Sequence, residues 1–190
     1  MYKGRLEAFS DGVLAIIITI MVLELKVPQS PDLSALLELT PVFLSYLLSF
    51  MYLGIYWNNH HHLFQVVTHI DGKVLWANMH LLFWLSLLPF VTAWAGENHF
   101  AAAPVAAYGL VLFMAGMAYF ILSKALLAVH SKESDLAKAL GKDTKGKISI
   151  ILNLVGIILT FVSPWLSILM YVMVAAIWLV PDQRIEKIKK

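Results

Sequence analysis

The sequence predicts an all-α fold: a bundle of six transmembrane helices with both termini on the cytoplasmic side. Three observations carry this. Of 190 residues, 60% are hydrophobic and 14% charged, against about 45–50% and about 25% in a typical soluble domain. The apolar residues form continuous runs near the roughly 20 residues a spanning helix needs, rather than the alternation of barrel strands. The basic residues, finally, fall almost entirely on one set of alternate connections. No polar stretch is long enough for a soluble domain, so residues 1–190 read as one membrane domain.

The first run covers about 6–25. Its start is short and basic like a signal peptide, but Asp11 follows and no small-x-small cleavage site appears, so it reads as a retained helix. The second covers about 33–56, entering past Pro31 and carrying Pro41 in its first turns. The third covers about 74–93, with Pro89 near its end, and the fourth about 101–129. The fifth (about 148–162) and sixth (about 165–180) are separated only by the Ser163-Pro164 turn, which makes them a helical hairpin. Ala102, Gly109 and Gly116 recur at seven-residue spacing in the fourth run, where small residues let helix backbones pack closely in lipid. The one polar segment, about 131–147, reads as a cytoplasmic linker.

Charge orients the array. Lys3, Arg5, Lys73, the lysines from Lys124 to Lys147, and Arg184, Lys187, Lys189 and Lys190 all fall on one side, and Lys26 alone on the other. The positive-inside rule makes the first side cytoplasmic. Tyr2, Trp94, Trp165 and Trp178 sit near span ends, as aromatic belts do. A formal charge of +2, without basic residues interleaved with exposed aromatics, excludes nucleic acid as a partner. The absence of cysteine removes disulfides, thiol catalysis and Cys-based metal sites. No nucleophile–base pair, phosphate loop or arginine ladder appears, so an enzyme and a voltage sensor are both disfavoured.

The most informative stretch is the first span. An acid in a membrane helix costs about 2.5–3.5 kcal/mol on insertion scales, so Asp11 needs a partner. At about 100° per residue, Phe9, Gly12, Ile16, Thr19, Ile20 and Leu23 share one stripe. Ser10 and Asp11 lie well off it, towards the neighbouring helices. Partners at that depth are Trp57, Asn58, Asn59 and the histidines 60–62 after the second span, and Trp76, Asn78 and His80 in the third. A network of Ser10, Asp11, one or two histidines and an asparagine would satisfy these groups. Three consecutive histidines on a helix point about 100° apart, so they cannot all reach one metal ion. Histidine also keeps a proton-sensing role open. Taken alone, Ile16, Ile20 and Leu23 prove little, since apolar residues at this spacing in a membrane helix more often face lipid or another helix than a pore.

Arg5-x-x-x-Phe9-Ser10-Asp11 at the start of the first span resembles the signature of the transmembrane protein 175 family, endolysosomal potassium channels of animals and their prokaryotic relatives. Trp57 to His61, Leu75-Trp76-x-Asn78 and Leu85-Ser86-Leu87-Leu88-Pro89-Phe90 extend the resemblance. With six spans rather than two repeats of six, the chain resembles the prokaryotic form, similar to channels built as homotetramers in the cell membrane. The resemblance implies a pore lined by the first helix of each subunit. Its apolar constriction then falls on Ile16, Ile20 and Leu23, and a contribution to potassium preference on Thr19. Arg5, Phe9, Ser10, Asp11, Trp57, His61, Asn78 and His80 become the signature and its structural network. No cofactor is implied, only permeating potassium ions. A proton-permeable channel and a secondary transporter of a small solute remain alternatives. Pro41, Pro89 and Pro104 lie near span ends rather than at mid-membrane, which weighs against a transporter.

Overall fold

The structure is a computed structural model and describes residues 3–131, 134, 136–137 and 144–179. Tyr2, most of the predicted linker 131–147 and the basic residues from Arg184 to Lys190 lie outside the described residues. Helices run α1 (Gly4–Leu23), α2 (Ala35–Glu38), α3 (Thr40–Gln65), α4 (Gly72–Ser86), α5 (Leu88–Glu97), α6 (Ala102–Ala128), α7 (Thr144–Leu159) and α8 (Pro164–Leu179). No strand occurs among the described residues. Gly4–Leu23, Thr40–Gln65, Gly72–Glu97 and Ala102–Ala128 are long and apolar enough to cross a membrane, and Pro164–Leu179 is a shorter apolar helix.

Two sequence expectations shift. The second span begins later than residue 33 and runs to Gln65, so the histidine run lies within α3 instead of beyond its end. Pro41 marks the true start: it sits in the first turn of α3, where a missing N–H costs nothing. The apolar residues before it form only the short α2. The third span is broken at Leu87 into α4 and α5. Pro89 has no N–H for the Leu85 carbonyl, and its ring crowds that carbonyl. The Leu87 N–H instead turns back to Trp84 at 3.2 Å. Asp71 caps α4 by accepting the Val74 N–H at 2.9 Å.

α6 is the hub, packing against α4, α5, α7 and α8, while α1 leans on α3, α4 and α5. Small residues set the close approaches. Of the seven-residue series, Gly109 lies under the Tyr171 ring and hydroxyl, Gly116 borders open space, and Ala102 is exposed. Gly156 supports the other side of Tyr171, where an added Cβ would lie 2.6 Å from Cε1. Hydroxyls stitch the interior: Ser49 bonds Thr92 at 2.6 Å and Tyr108 at 2.9 Å. Tyr52 donates to the Tyr171 carbonyl at 2.6 Å. Beyond α1, Lys26 pairs with Glu97 at 2.6 Å. The Glu97 hydrogen bond and charge hold that exposed ammonium above its usual pKa.

Where α3 meets α5, a Cβ on Gly96 would stand 2.5 Å from Ser45 Oγ and 2.7 Å from Val42 Cα. The Val42 backbone cannot yield without separating the helices. Gly96→Ala is therefore expected to cost about 1–3 kcal/mol as overpacking, read as a lowered melting temperature in detergent. Gly54, inside α3 with nothing within 4 Å of an added Cβ, is the control. Its change to Ala should leave stability equal or slightly higher, because Ala favours the helix by about 1 kcal/mol.

Candidate functional site

The site is built on α1, whose two sides differ. Leu6, Ser10, Leu14, Ile17 and Met21 recur at helical spacing and are all buried. On another side Phe9, Ile16, Ile20 and Leu23 are exposed at 53%, 59%, 42% and 81%, and Gly12 and Thr19 are exposed with them. The protomer thus leaves uncovered the stripe picked by angle. Thr19 Oγ1 donates to the Ile16 carbonyl at 2.8 Å. Its hydrogen is committed along the helix, and the two oxygen lone pairs are left for a donor or a cation.

The buried side is fastened by one polar chain crossing three helices. His60 Nε2 bonds Asn78 Oδ1 at 2.9 Å, and Asn78 Nδ2 donates to Ser10 Oγ at 2.9 Å. Ser10 Oγ then donates to the Leu6 carbonyl at 2.8 Å. A carbonyl oxygen on Asn78 requires His60 to carry its proton on Nε2, so every link has a direction. Ser10, Asn78 and His60 are 0%, 2% and 3% exposed. Buried groups this well satisfied fix how α1, α3 and α4 fit together.

Asp11 does not join this chain. It is exposed, and its Oδ1 accepts from Trp57 Nε1 at 3.0 Å. Trp57 stacks on His61 at 5.8 Å between centroids, and His61 bonds Gln65 at 2.7 Å. His61 therefore reaches Asp11 only through the indole. His80 accepts from Trp84 Nε1 at 2.9 Å on its own helix and stands apart from both groups. Arg5 is exposed beside Phe9 and Trp76 on an open hollow between α1 and α4. Lys3, two residues earlier, donates to the Phe64 carbonyl at the end of α3.

Of the network expected from the sequence, Ser10 and Asn78 are joined here with His60, one of the three histidines 60–62, whereas Asp11 pairs with Trp57 and His61 stands with that surface pair. A signal existed: Ser45, Ser49 and Tyr52–Leu53 mark the buried face of α3, and steps of three or four residues along it reach Asn59–His60. Among the described residues no group of three or more His, Asp or Glu is placed to hold a metal ion.

These features define an all-helical membrane protein whose first helix is held by buried polar bonds and leaves an apolar face open. Residues 5–89 match the family model of the endosomal/lysosomal potassium channel TMEM175. A protein of a Chryseobacterium species, named a potassium channel, is 56% identical over 187 residues, or 98% of this chain and 97% of its own. The crystal structure of a lysosomal potassium-selective channel TMEM175 homolog from Chamaesiphon minutus superposes with a TM-score of 0.80 at 30% identity, covering 95% of this chain and 97% of that one. The Gallus gallus relative, named an endosomal/lysosomal proton channel, is 32% identical over 70% of this chain but only 29% of its own length. The chain belongs to the TMEM175 family, a family of ion channels and not of enzymes.

Proposed function

We propose that four copies of this chain form a weakly potassium-selective cation channel in the cell membrane, with the exposed stripe of α1 facing the shared axis. One observation carries the reading. Ile16, Thr19, Ile20 and Leu23 are all uncovered on one side of α1, while Leu14, Ile17 and Met21 on the other are no more than 3% exposed. One helix cannot enclose a pore, whereas four around an axis make stacked rings of Ile16, Ile20 and Leu23. Such a neck is narrow and apolar, and it gates by dewetting. Thr19 lies between the Ile16 and Ile20 rings and offers its oxygen to an ion that has shed water. Potassium holds its water less tightly than sodium, so the neck favours it modestly. In this reading α7 and α8 are the fifth and sixth spans, both termini are cytoplasmic, and 1–190 is one domain. The buried chain from Ser10 to His60 is scaffold.

Purified protein in planar bilayers tests this directly. With a potassium gradient against sodium, the reversal potential should move towards the potassium value, up to about 59 mV per tenfold gradient for an ideal monovalent pore. A pH gradient imposed alone should move it little. A reversal potential that follows the proton gradient would instead select the proton-channel reading that the Gallus gallus relative's name favours. Thr19→Val keeps the shape and removes the oxygen, so the potassium-over-sodium ratio should fall at least two- to threefold with current retained. An unchanged ratio would remove Thr19 from the selectivity mechanism.

A further inference from the structure

Away from α1, the walls of α3, α6, α7 and α8 enclose a cavity of about 50 Å³. At about 10–15 Å³ for each water, it has room for about three to five waters or one molecule of similar bulk. Tyr56, Tyr119, Phe120 and Trp178 give it aromatic walls, and Asn59 and Asn153 are among its polar groups. Asn153 is 3% exposed, and its Oδ1 is buried without any hydrogen-bond partner. A buried acceptor left unmade is among the costlier features a fold can carry, and here Asn153 is one of the residues lining the cavity. Among the described residues no carboxylate lines the cavity, and the Lys145 ammonium already stands over the Trp178 ring, 5.8 Å from its centroid, which disfavours a second cation there.

Neighbouring polar groups are already engaged. Trp178 Nε1 donates to Ser149 Oγ at 2.7 Å, and Ser149 Oγ donates to the Lys145 carbonyl at 2.9 Å. Tyr119 donates to the Asn59 carbonyl at 3.2 Å. Tyr56 is the exception: its hydroxyl lies across from Gly116, 3.9 Å from where a Cβ would stand. The cavity therefore offers an acceptor on Asn153, a hydroxyl on Tyr56 and ring faces between them. That set matches a neutral molecule with one hydroxyl on a compact apolar body.

We propose that this cavity is a binding site for small uncharged alcohols, whose hydroxyl donates to Asn153 Oδ1. The site is separate from the α1 stripe and does not depend on which ion the channel carries. Its α3 wall includes Tyr56 and Asn59, next in sequence to the Trp57 and His60 that bond α1 and α4.

Fluorine NMR of trifluoroethanol, titrated onto the full chain in detergent, reads occupancy without any measurement of current. The expected result is saturable line broadening that unlabelled propanol reverses. Methyl trifluoroethyl ether, which has no donor, should bind the wild type at least tenfold more weakly, and Asn153→Leu should weaken trifluoroethanol by a similar factor. Gly116→Leu, which fills the space from α6, should abolish binding, and it decides the case should Asn153→Leu fail to fold. Non-saturable partitioning, equal binding of alcohol and ether, or undiminished binding in either folded variant would overturn the proposal. A cavity that holds only water gives the first of these results.

Discussion

If the proposed tetramer places Ile16 at its neck, replacing it with asparagine should raise the single-channel current or the resting leak about tenfold, which corresponds to ~1.4 kcal/mol off the barrier there. Four isoleucine side chains around an axis offer water no hydrogen bond, so a narrow ring of them empties and blocks ions. Four amides hold water at the same place and let a hydrated ion pass. The control is Ile17→Asn. Ile17 is adjacent in sequence but 3% exposed and turned into the protomer. An amide there is buried without a partner, which costs about 1–3 kcal/mol of stability and leaves conductance unchanged. Current that rises in both variants, or in neither, would mean that α1 is rotated in the assembly or that the constriction lies elsewhere. Current that rises in Ile17→Asn alone would place the core side on the axis.

That Ile16, Thr19, Ile20 and Leu23 share one side of α1 was legible because it needs only the helical period. They fall together by angle, and the structure leaves them uncovered. The boundaries of α6, Ala102 to Ala128, were legible for a related reason: the run is uninterrupted, and Pro104 lies in the first turn, where its missing N–H is harmless. The beginning of α3 was not. Leu33, Leu36 and Leu37 are as apolar as a spanning helix, and hydropathy alone cannot tell a lipid-facing turn from a helical one. Nor could the break at Leu87 be assigned from Pro89 alone, since membrane helices tolerate proline when neighbours re-satisfy the freed carbonyl. The histidines show the limit most clearly. His60, His61 and His62 differ by one residue, or about 100° of rotation. Which of them turns inward depends on how α3 docks against α5, α1 and α8, elements far away in sequence. Leu53, Leu63 and Phe64, each 0% exposed, set that rotation, and His60 follows them inside.

Asn78 is the residue whose loss should destabilise the protomer most. It is the middle link of the chain from His60 through Asn78 to Ser10, all three buried. Asn78→Leu keeps the bulk but strands two groups at once, the His60 N–H and the Ser10 oxygen. At about 1–3 kcal/mol for each buried group left unpaired, the expected loss is about 2–5 kcal/mol. It should appear as a large fall in melting temperature and in the yield of folded protein. Lost volume cannot account for such a fall, because leucine has as many side-chain heavy atoms as asparagine and is no smaller. The stronger test removes the whole chain. Ser10→Ala, His60→Phe and Asn78→Leu together leave no orphaned partner, and replacing both sides of a buried bond by apolar groups is often nearly neutral. The triple variant should recover at least half the stability lost by Asn78→Leu alone, a non-additivity expected only where the residues share one network. Additive losses would show three independent packing defects instead. Trp57→Phe supplies the contrast. It removes only the indole bond to an exposed carboxylate and should cost no more than about 1 kcal/mol, because both groups lie at the protomer surface. If Trp57→Phe proves as damaging as Asn78→Leu, then Asp11 and not Ser10 is the anchor of α1, and the buried chain is secondary to the surface bond.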